Sequence, residues 1–170
     1  PLAMQEVRLP VRYRTPNLQT LEWAQRIVDG MKGEPPQTQP EVYAREQFLL
    51  HKMRETEVVV QALGIGDTGI ATTPTETYAL TGLKIKHMSP FKNTMVFDLA
   101  NGGDGYIPPP EQHDLGGYNT WPARSAGLER MAEPRIVEAA VSLLESVAGK
   151  ARKVYVQSVG QGTRALLALR

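Results

Sequence analysis

The feature that most constrains the fold is a change of sequence period near residue 58. Directly upstream of it, over residues 41–56, the sequence predicts a helix, whereas Val58 opens a β-branched run. That run is interrupted at Gly66-Asp67 and resumes to Thr73, which predicts a β-hairpin with a tight turn. Strands interleaved with helices, with one hairpin among them, predict an α/β fold.

The rest of the chain predicts further strands and helices around this hairpin. We expect an edge strand over 5–14, weakened by Pro10, and then a helix that Asn17 caps and that stops at Gly33. The later predicted elements are a Pro-rich connection over 33–40, a helix over 41–56 with Phe48, Leu49 and Met53 facing inward, a helix over 75–87, a strand over 93–99, a glycine- and proline-rich loop over 101–117, a helix from Pro134 to Gly149 and a strand over 154–159. Together they predict a mixed β-sheet flanked by helices, in one unit over residues 1–170.

Composition excludes several classes of protein. The 19 basic and 18 acidic residues are interspersed, which argues against a nucleic-acid partner because phosphate binding uses clustered Lys and Arg. No run of about 18 apolar residues occurs, so we expect no transmembrane segment. The lack of cysteine excludes disulfides and a thiol nucleophile. Because the sequence opens without Met and closes on an apolar segment, we expect it to be cut from a longer protein.

Glu76 is the first candidate functional residue. In the predicted helix it lies four residues before Leu80 and seven before Leu83, so its carboxylate projects from the apolar stripe. One interpretation is a first-turn carboxylate that caps free backbone N–H groups. The other is a metal ligand or general base at the junction of a strand and a helix.

Two further segments could contribute to a site. Residues 101–110 place three glycines directly after a strand, where the backbone can approach a ligand closely, and then three prolines. The alternative is an ordinary connection with Tyr106 packed over the sheet. Residues 111–121 group polar, aromatic and glycine residues into a candidate pocket wall that includes His113. A single His is more often structural than a ligand, and no common hydrolase or nucleotide-binding motif occurs.

Six short motifs follow one another between residues 58 and 147. In chain order they are Gly66-Asp67, Pro74-Thr75-Glu76, the segment from Gly82 to Lys86, the segment from Leu99 to Tyr106, Pro110-Glu111 and Leu115-Gly116-Gly117-Tyr118. Their joint order and spacing resemble the neutral/alkaline non-lysosomal ceramidase family, and its bacterial members most.

The resemblance implies a zinc-dependent amidohydrolase that cleaves the N-acyl bond of ceramide, a lipid, into a sphingoid base and a fatty acid. Matched by motif, Glu76 and Tyr106 would be zinc ligands. The residues that would line or support the substrate pocket are Asn101, His113, Gly117 and Tyr118.

The family's two zinc histidines and its nucleophilic serine lie in an upstream region that this sequence does not contain. The resemblance therefore implies that the chain is the C-terminal part of a catalytic domain, packs against the missing upstream half and is inactive alone. It also implies export to the periplasm or the medium. The alternative is an exported interaction module that kept the fold and lost the chemistry. Only the hydrolase requires the oxygens of Glu76 and Tyr106 to converge on one ion.

Overall fold

The computed structural model describes residues 1–154 and contains six strands, five α-helices and one 3₁₀ helix. The strands are β1 (Leu2–Arg12), β2 (Glu55–Ile65), β3 (Thr68–Thr72), β4 (Glu76–Thr77), β5 (Asn93–Phe97) and β6 (Tyr106–Ile107). The helices are α1 (Leu18–Gly30), α2 (Gln39–Met53), α3 (Ala79–Met88), α4 (Pro110–Leu115) and α5 (Ala132–Ala148), with the 3₁₀ helix at Tyr118–Thr120.

Four of the strands form one mixed sheet in the order β1-β2-β3-β5. The pairs β1–β2 and β2–β3 are antiparallel, whereas β3 and β5 are parallel. The predicted hairpin is β2–β3, and Gly66 takes a φ of 61° in its turn, as a tight turn requires. The predicted edge strand is β1, where Pro10 is tolerated because an edge strand has one unpaired side. The mixed α/β sheet predicted from the sequence is confirmed.

Helix α5 covers one face of this sheet and forms most of the core. Its side chains Ile136, Ala140 and Leu144 are fully buried, and so are Val58 and Val60 of β2, which belong to the same apolar cluster. Burial of each large aliphatic side chain stabilises the fold by about 1.5–3 kcal/mol. The helix ends where Gly149 adopts the left-handed conformation, so the predicted end at this glycine is confirmed.

The predicted inward face of α2 is wrong. Phe48 and Leu49 are only half-buried and Met53 is 37% exposed, while Gln47 and Leu50 are buried instead. Residues 48–50 are three apolar residues in succession, so their pattern does not show which face of the helix is buried. The polar Gln47 can be buried because its amide donates to the carbonyl of Pro122 at 2.8 Å. The start of this helix also differs, since Pro40 lies in its first turn.

The helix predicted over 75–87 begins only at Ala79, and its expected first turn is strand β4. Thr75 has a φ of 55°, which is outside the helical region. Glu76 therefore lies on a strand and does not cap a helix. The loop predicted over 101–117 similarly contains β6 and α4. The strand predicted over 154–159 lies outside the described residues beyond Val154.

The packing of β3 makes a prediction about Gly69. A Cβ added there would lie 2.8 Å from Cγ of the buried Phe91 ring and 3.1 Å from Cδ2 of Leu144. We expect Gly69→Ala to lower the free energy of unfolding by about 1–3 kcal/mol through overpacking. The matched control is Gly82→Ala in α3, whose Cβ would find its nearest neighbour, Val96, at 3.8 Å.

Gly82→Ala should raise the free energy of unfolding by up to about 1 kcal/mol, because Ala is the better helix former. Urea unfolding of both variants measures the two effects, which are expected to have opposite signs. Equal stability of Gly69→Ala and the parent chain would show that Phe91 does not pack against β3 in this way.

Candidate functional site

The short strands β4 and β6 bring Glu76 and Tyr106 together. The two strands pair in parallel, and Glu76 and Tyr106 are direct partners in the register. The backbone N–H of Glu76 donates to the carbonyl of Gly105 at 3.1 Å, and that of Tyr106 donates to the carbonyl of Ser125 at 2.7 Å. Because matched positions on neighbouring strands point to the same side, these side chains are neighbours.

Tyr118 completes this group of side chains, which we call the Glu-Tyr-Tyr cluster (Glu76, Tyr106 and Tyr118). Its hydroxyl donates to the hydroxyl of Tyr106 at 3.4 Å. The two rings meet edge to face, with centroids 5.6 Å apart and an interplanar angle of 87°. The structure thus places three oxygen-bearing side chains, taken from three different segments, at one point.

The electrostatics of the cluster keep Tyr106 protonated. The hydrogen bond with Tyr118, and after it the carboxylate of Glu76, raise the pKa of Tyr106 to about 12. A nearby negative charge disfavours the phenolate. A bound cation would reverse this effect, because it favours the ionised form of any oxygen that coordinates it.

The donors present are suited to a metal ion, although they would make only part of its site. Carboxylate and phenolate oxygens are among the ligands that zinc and harder cations accept in proteins. Within residues 1–154, no three His, Cys, Asp or Glu side chains come together as a metal site would require. Glu76 and Tyr106 could therefore supply two ligands, and a complete site would need others from outside the described residues.

The backbone next to the cluster is strained. Thr75, Leu99 and Asn101 have φ values of 55°, 53° and 64°, and the N–H of Leu99 donates to the carbonyl of Thr75 at 2.8 Å. A β-branched residue in this region costs on the order of 1–3 kcal/mol and persists only when its surroundings impose it. Thr75 is fully buried and directly precedes Glu76. Such strain is typical of functional sites.

Three other predicted site residues, which lie outside the cluster, are Asn101, His113 and Gly117. Asn101 donates its side-chain amide to Oε1 of Gln61 on β2, at 2.9 Å. His113 on α4 has Nδ1 3.5 Å from Nη1 of Arg14, and its pKa is lowered first by burial and then by Arg14. Gly117 has a φ of 105° and directly precedes Tyr118, so it turns the chain into the 3₁₀ helix. Their role in binding substrate stays a prediction.

Sequence reasoning missed two features beside the cluster. Arg14 and Tyr13 follow β1 and hold the segments that carry Tyr106 and Tyr118, although no motif marks them. A groove of about 410 Å³ also begins at Thr77. Its lining includes Tyr78, Gly82, Leu83, Lys86 and Val96. The spacing of residues on α3 could not reveal this groove, because its other wall comes from β5.

Comparison with known proteins agrees with this architecture. No protein-family model matches the sequence, and no curated protein matches it. The crystal structure of neutral ceramidase from Pseudomonas aeruginosa matches 89% of this chain, with a TM-score of 0.58 and 14% sequence identity. The chain has the fold of part of a neutral ceramidase.

The match covers 29% of that ceramidase chain, so this sequence spans less than a third of its length. A structure of a ceramidase complexed with C2 is also similar, with a TM-score of 0.48 and 14% identity over 58% of this chain and 16% of that one. The resemblance inferred from the motifs is thus confirmed at the level of the fold. Within residues 1–154, no helix combines the length and apolar character needed to cross a membrane.

The close approach of Gly105, directly before β6, to the backbone of Ser125 yields a prediction. This glycine has a φ of 77°, and an added Cβ would lie 2.8 Å from Cα of Ser125 and closer still to its carbonyl. We expect Gly105→Ala to lower the free energy of unfolding by more than about 1 kcal/mol, because the new methyl group meets backbone that cannot move aside.

Gly103→Ala is the matched control in the same loop, since an added Cβ there meets nothing within 4 Å. Its effect should stay within about 0.5 kcal/mol, as for surface substitutions generally. Chemical denaturation of both variants is the measurement. If Gly105→Ala proves as mild as Gly103→Ala, β6 does not run against Ser125 as described.

Proposed function

We propose that Glu76 and Tyr106 are two zinc ligands of a ceramidase-like amidohydrolase that cleaves the N-acyl bond of ceramide or a related lipid amide. The observation that carries this proposal is the β4–β6 pairing, which sets the two predicted ligands side by side. Carboxylate oxygens bind zinc at about 2.0–2.2 Å, so two ligands of one ion must be close neighbours. An interaction module that had lost the chemistry would not require this convergence.

When bound, zinc would polarise the amide carbonyl or acidify a water molecule. The chain's own residues have separate tasks around it. Glu76 supplies a negative charge on a strand fixed by backbone hydrogen bonds, and Tyr106 supplies an oxygen whose proton a cation would displace. The hydroxyl of Tyr118, 3.4 Å from that of Tyr106, would help to hold the Tyr106 ring in place.

The groove beside the cluster supports a lipid substrate. Tyr78, Leu83 and Val96 give it apolar surface, and Leu83 is 60% exposed. An acyl chain would cover this surface and gain about 25 cal/mol for each Å² removed from water. Lys86 and Asp98 add polar groups to the same groove, where a polar head could bind.

The remaining zinc ligands and the nucleophile belong, in this proposal, to an upstream part of a longer protein. The 29% coverage of the neutral ceramidase chain supports this division. The 170-residue chain alone would then lack hydrolytic activity. Location outside the cytoplasm is part of the same proposal and depends on the resemblance alone.

The open face of the sheet supports packing against that upstream part. Met4, Leu63, Ile70 and Met95 are successive cross-strand partners from β1 to β5, and they lie on the face opposite α5. Met4 is 54% exposed and Met95 is 51% exposed. An apolar row across a whole sheet is typical of a surface that another layer covers.

The zinc proposal is tested on the full-length protein with two ligand variants. We expect about one zinc per molecule and hydrolysis of a fluorescent N-acyl sphingosine. Glu76→Gln and Tyr106→Phe should each lower kcat/KM at least 100-fold, or about 2.7 kcal/mol, because each removes a metal ligand. Metal analysis and steady-state kinetics measure both effects.

The matched control for this test is Tyr43→Phe, which removes a hydroxyl from a residue outside the cluster and keeps the ring that packs edge to face on Trp121. It should keep zinc and activity within twofold. Absence of zinc from the intact protein would refute the proposal. Bound zinc without turnover of ceramide would refute the substrate and direct the search to other N-acyl amides.

The packing proposal is tested by Met95→Lys in the full-length protein. A lysine buried between two layers should lower the free energy of unfolding by more than about 2 kcal/mol, whereas an exposed one changes it by about 0.5 kcal/mol or less. Glu57→Lys, on the polar part of the same face, is the control. Similar unfolding curves for both variants would show that the apolar row stays in water.

A further inference from the structure

Arg14 lies where the chain leaves β1, and its side chain reaches two points of the connection between α4 and α5. The same guanidinium nitrogen, Nη2, donates to the carbonyl of Thr120 at 2.7 Å and to the carbonyl of Ala126 at 2.6 Å. The backbone of Arg14 is itself fixed, since its N–H donates to the carbonyl of Gly127 at 2.7 Å. One rigid group on a fixed backbone therefore joins two segments of the chain.

The first of these segments carries Tyr118 of the Glu-Tyr-Tyr cluster, and the second pairs with the backbone that carries Tyr106. Thr120 is the last residue of the 3₁₀ helix that begins at Tyr118. Ala126 forms a β-bridge with Gly105, and its neighbour Ser125 accepts the backbone hydrogen bond of Tyr106. The two carbonyls that Arg14 binds are thus linked through short stretches of backbone to Tyr118 and to Tyr106.

Tyr13 reinforces the same connection from the neighbouring position. Its side chain is buried, and its hydroxyl donates to Oδ1 of Asp104 at 2.9 Å. Asp104 lies two residues before Tyr106. The end of β1 therefore holds the Tyr106 segment through Tyr13 and Arg14, and holds the Tyr118 segment through Arg14.

We propose that Arg14 is a positioning residue, which sets the hydroxyl of Tyr118 against that of Tyr106 by binding the carbonyls of Thr120 and Ala126 with one nitrogen atom. This inference rests on the proposed function in one respect, namely that the tyrosine pair takes part in catalysis. The side chain must be Arg, because a Lys nitrogen lies one bond nearer the backbone and lacks the planar fork. Other arginines nearby bind carboxylates instead: Arg124 binds Glu46, and Arg130 binds Asp114.

The test measures the tyrosine pair directly, by light-driven oxidative dityrosine cross-linking of the full-length protein followed by peptide mass spectrometry. The Tyr106–Tyr118 cross-link should form readily because the ring centroids are 5.6 Å apart. We expect its yield to fall at least fivefold in Arg14→Met and by a smaller factor in Arg14→Lys. Arg130→Met, whose pair with Asp114 is exposed, should cross-link as the parent protein does.

Kinetics on the same variants separate positioning from a merely structural role. At a temperature well below the unfolding midpoint, Arg14→Met should lower kcat at least tenfold and change KM less than twofold. A structural role alone would lower the unfolding midpoint and leave kcat unchanged there. If Arg14→Met does not fold, the cross-link yield of Arg14→Lys decides whether Arg14 positions the two tyrosines.

A parent-level cross-link yield in folded Arg14→Met or Arg14→Lys would overturn the positioning role. The cross-link does not require activity. A full-length protein without zinc or hydrolysis would therefore refute the proposed function, while the yields would still decide the role of Arg14.

Discussion

The candidate site depends on the pairing of two strands that are two residues long each. β4 exists because Thr75, at a φ of 55°, turns the chain out of the helical region just before Glu76. β6 exists because Gly105 lets the backbone run against Ser125. If either residue took an ordinary conformation, β4 and β6 would not pair in this register, and Glu76 would not lie beside Tyr106. The strain at Thr75 is thus the local cost of bringing a carboxylate beside a phenol.

Such short strands need support from the elements that follow them. Helix α3 follows β4 and helix α4 follows β6, and Lys84 links both helices to α5. Its ammonium group lies 3.1 Å from Oε1 of the fully buried Glu133 and 3.2 Å from Oε1 of Glu111. Burial lowers the pKa of Lys84, but hydrogen bonds to the two carboxylates outweigh it and raise that pKa overall. A buried carboxylate is tolerated in the core because it is paired in this way.

The two faces of the main sheet differ in what covers them within residues 1–154. One face is filled by α5, whereas the other carries an exposed apolar row from Met4 to Met95. In the proposed zinc site the cluster would supply two oxygen ligands, whereas zinc sites in proteins use three or four. Under the proposed function, one further part of a longer protein would both cover the apolar row and complete the zinc site.

Local patterns in the sequence were sufficient to predict the elements in which apolar residues alternate or recur at helical spacing. The hairpin around Gly66, the edge strand β1, the Asn17 cap and the end of α5 at Gly149 follow from short-range sterics and hydrogen bonding, which any stretch of chain carries with it. Glu76 and Tyr106 were predicted as site residues from the order of the motifs. Periodicity wrongly placed Glu76 on a helix.

Only the tertiary structure decided the rest. Gln47 is buried because Pro122, distant in sequence, accepts its hydrogen bond, so no apolar pattern could orient α2. The φ of Thr75 is imposed by the loop that packs on it and not by its own preference. Arg14 holds two carbonyls that lie more than 100 residues away along the chain. A sequence states which groups are present, but contacts between distant segments form only when the core brings those segments together.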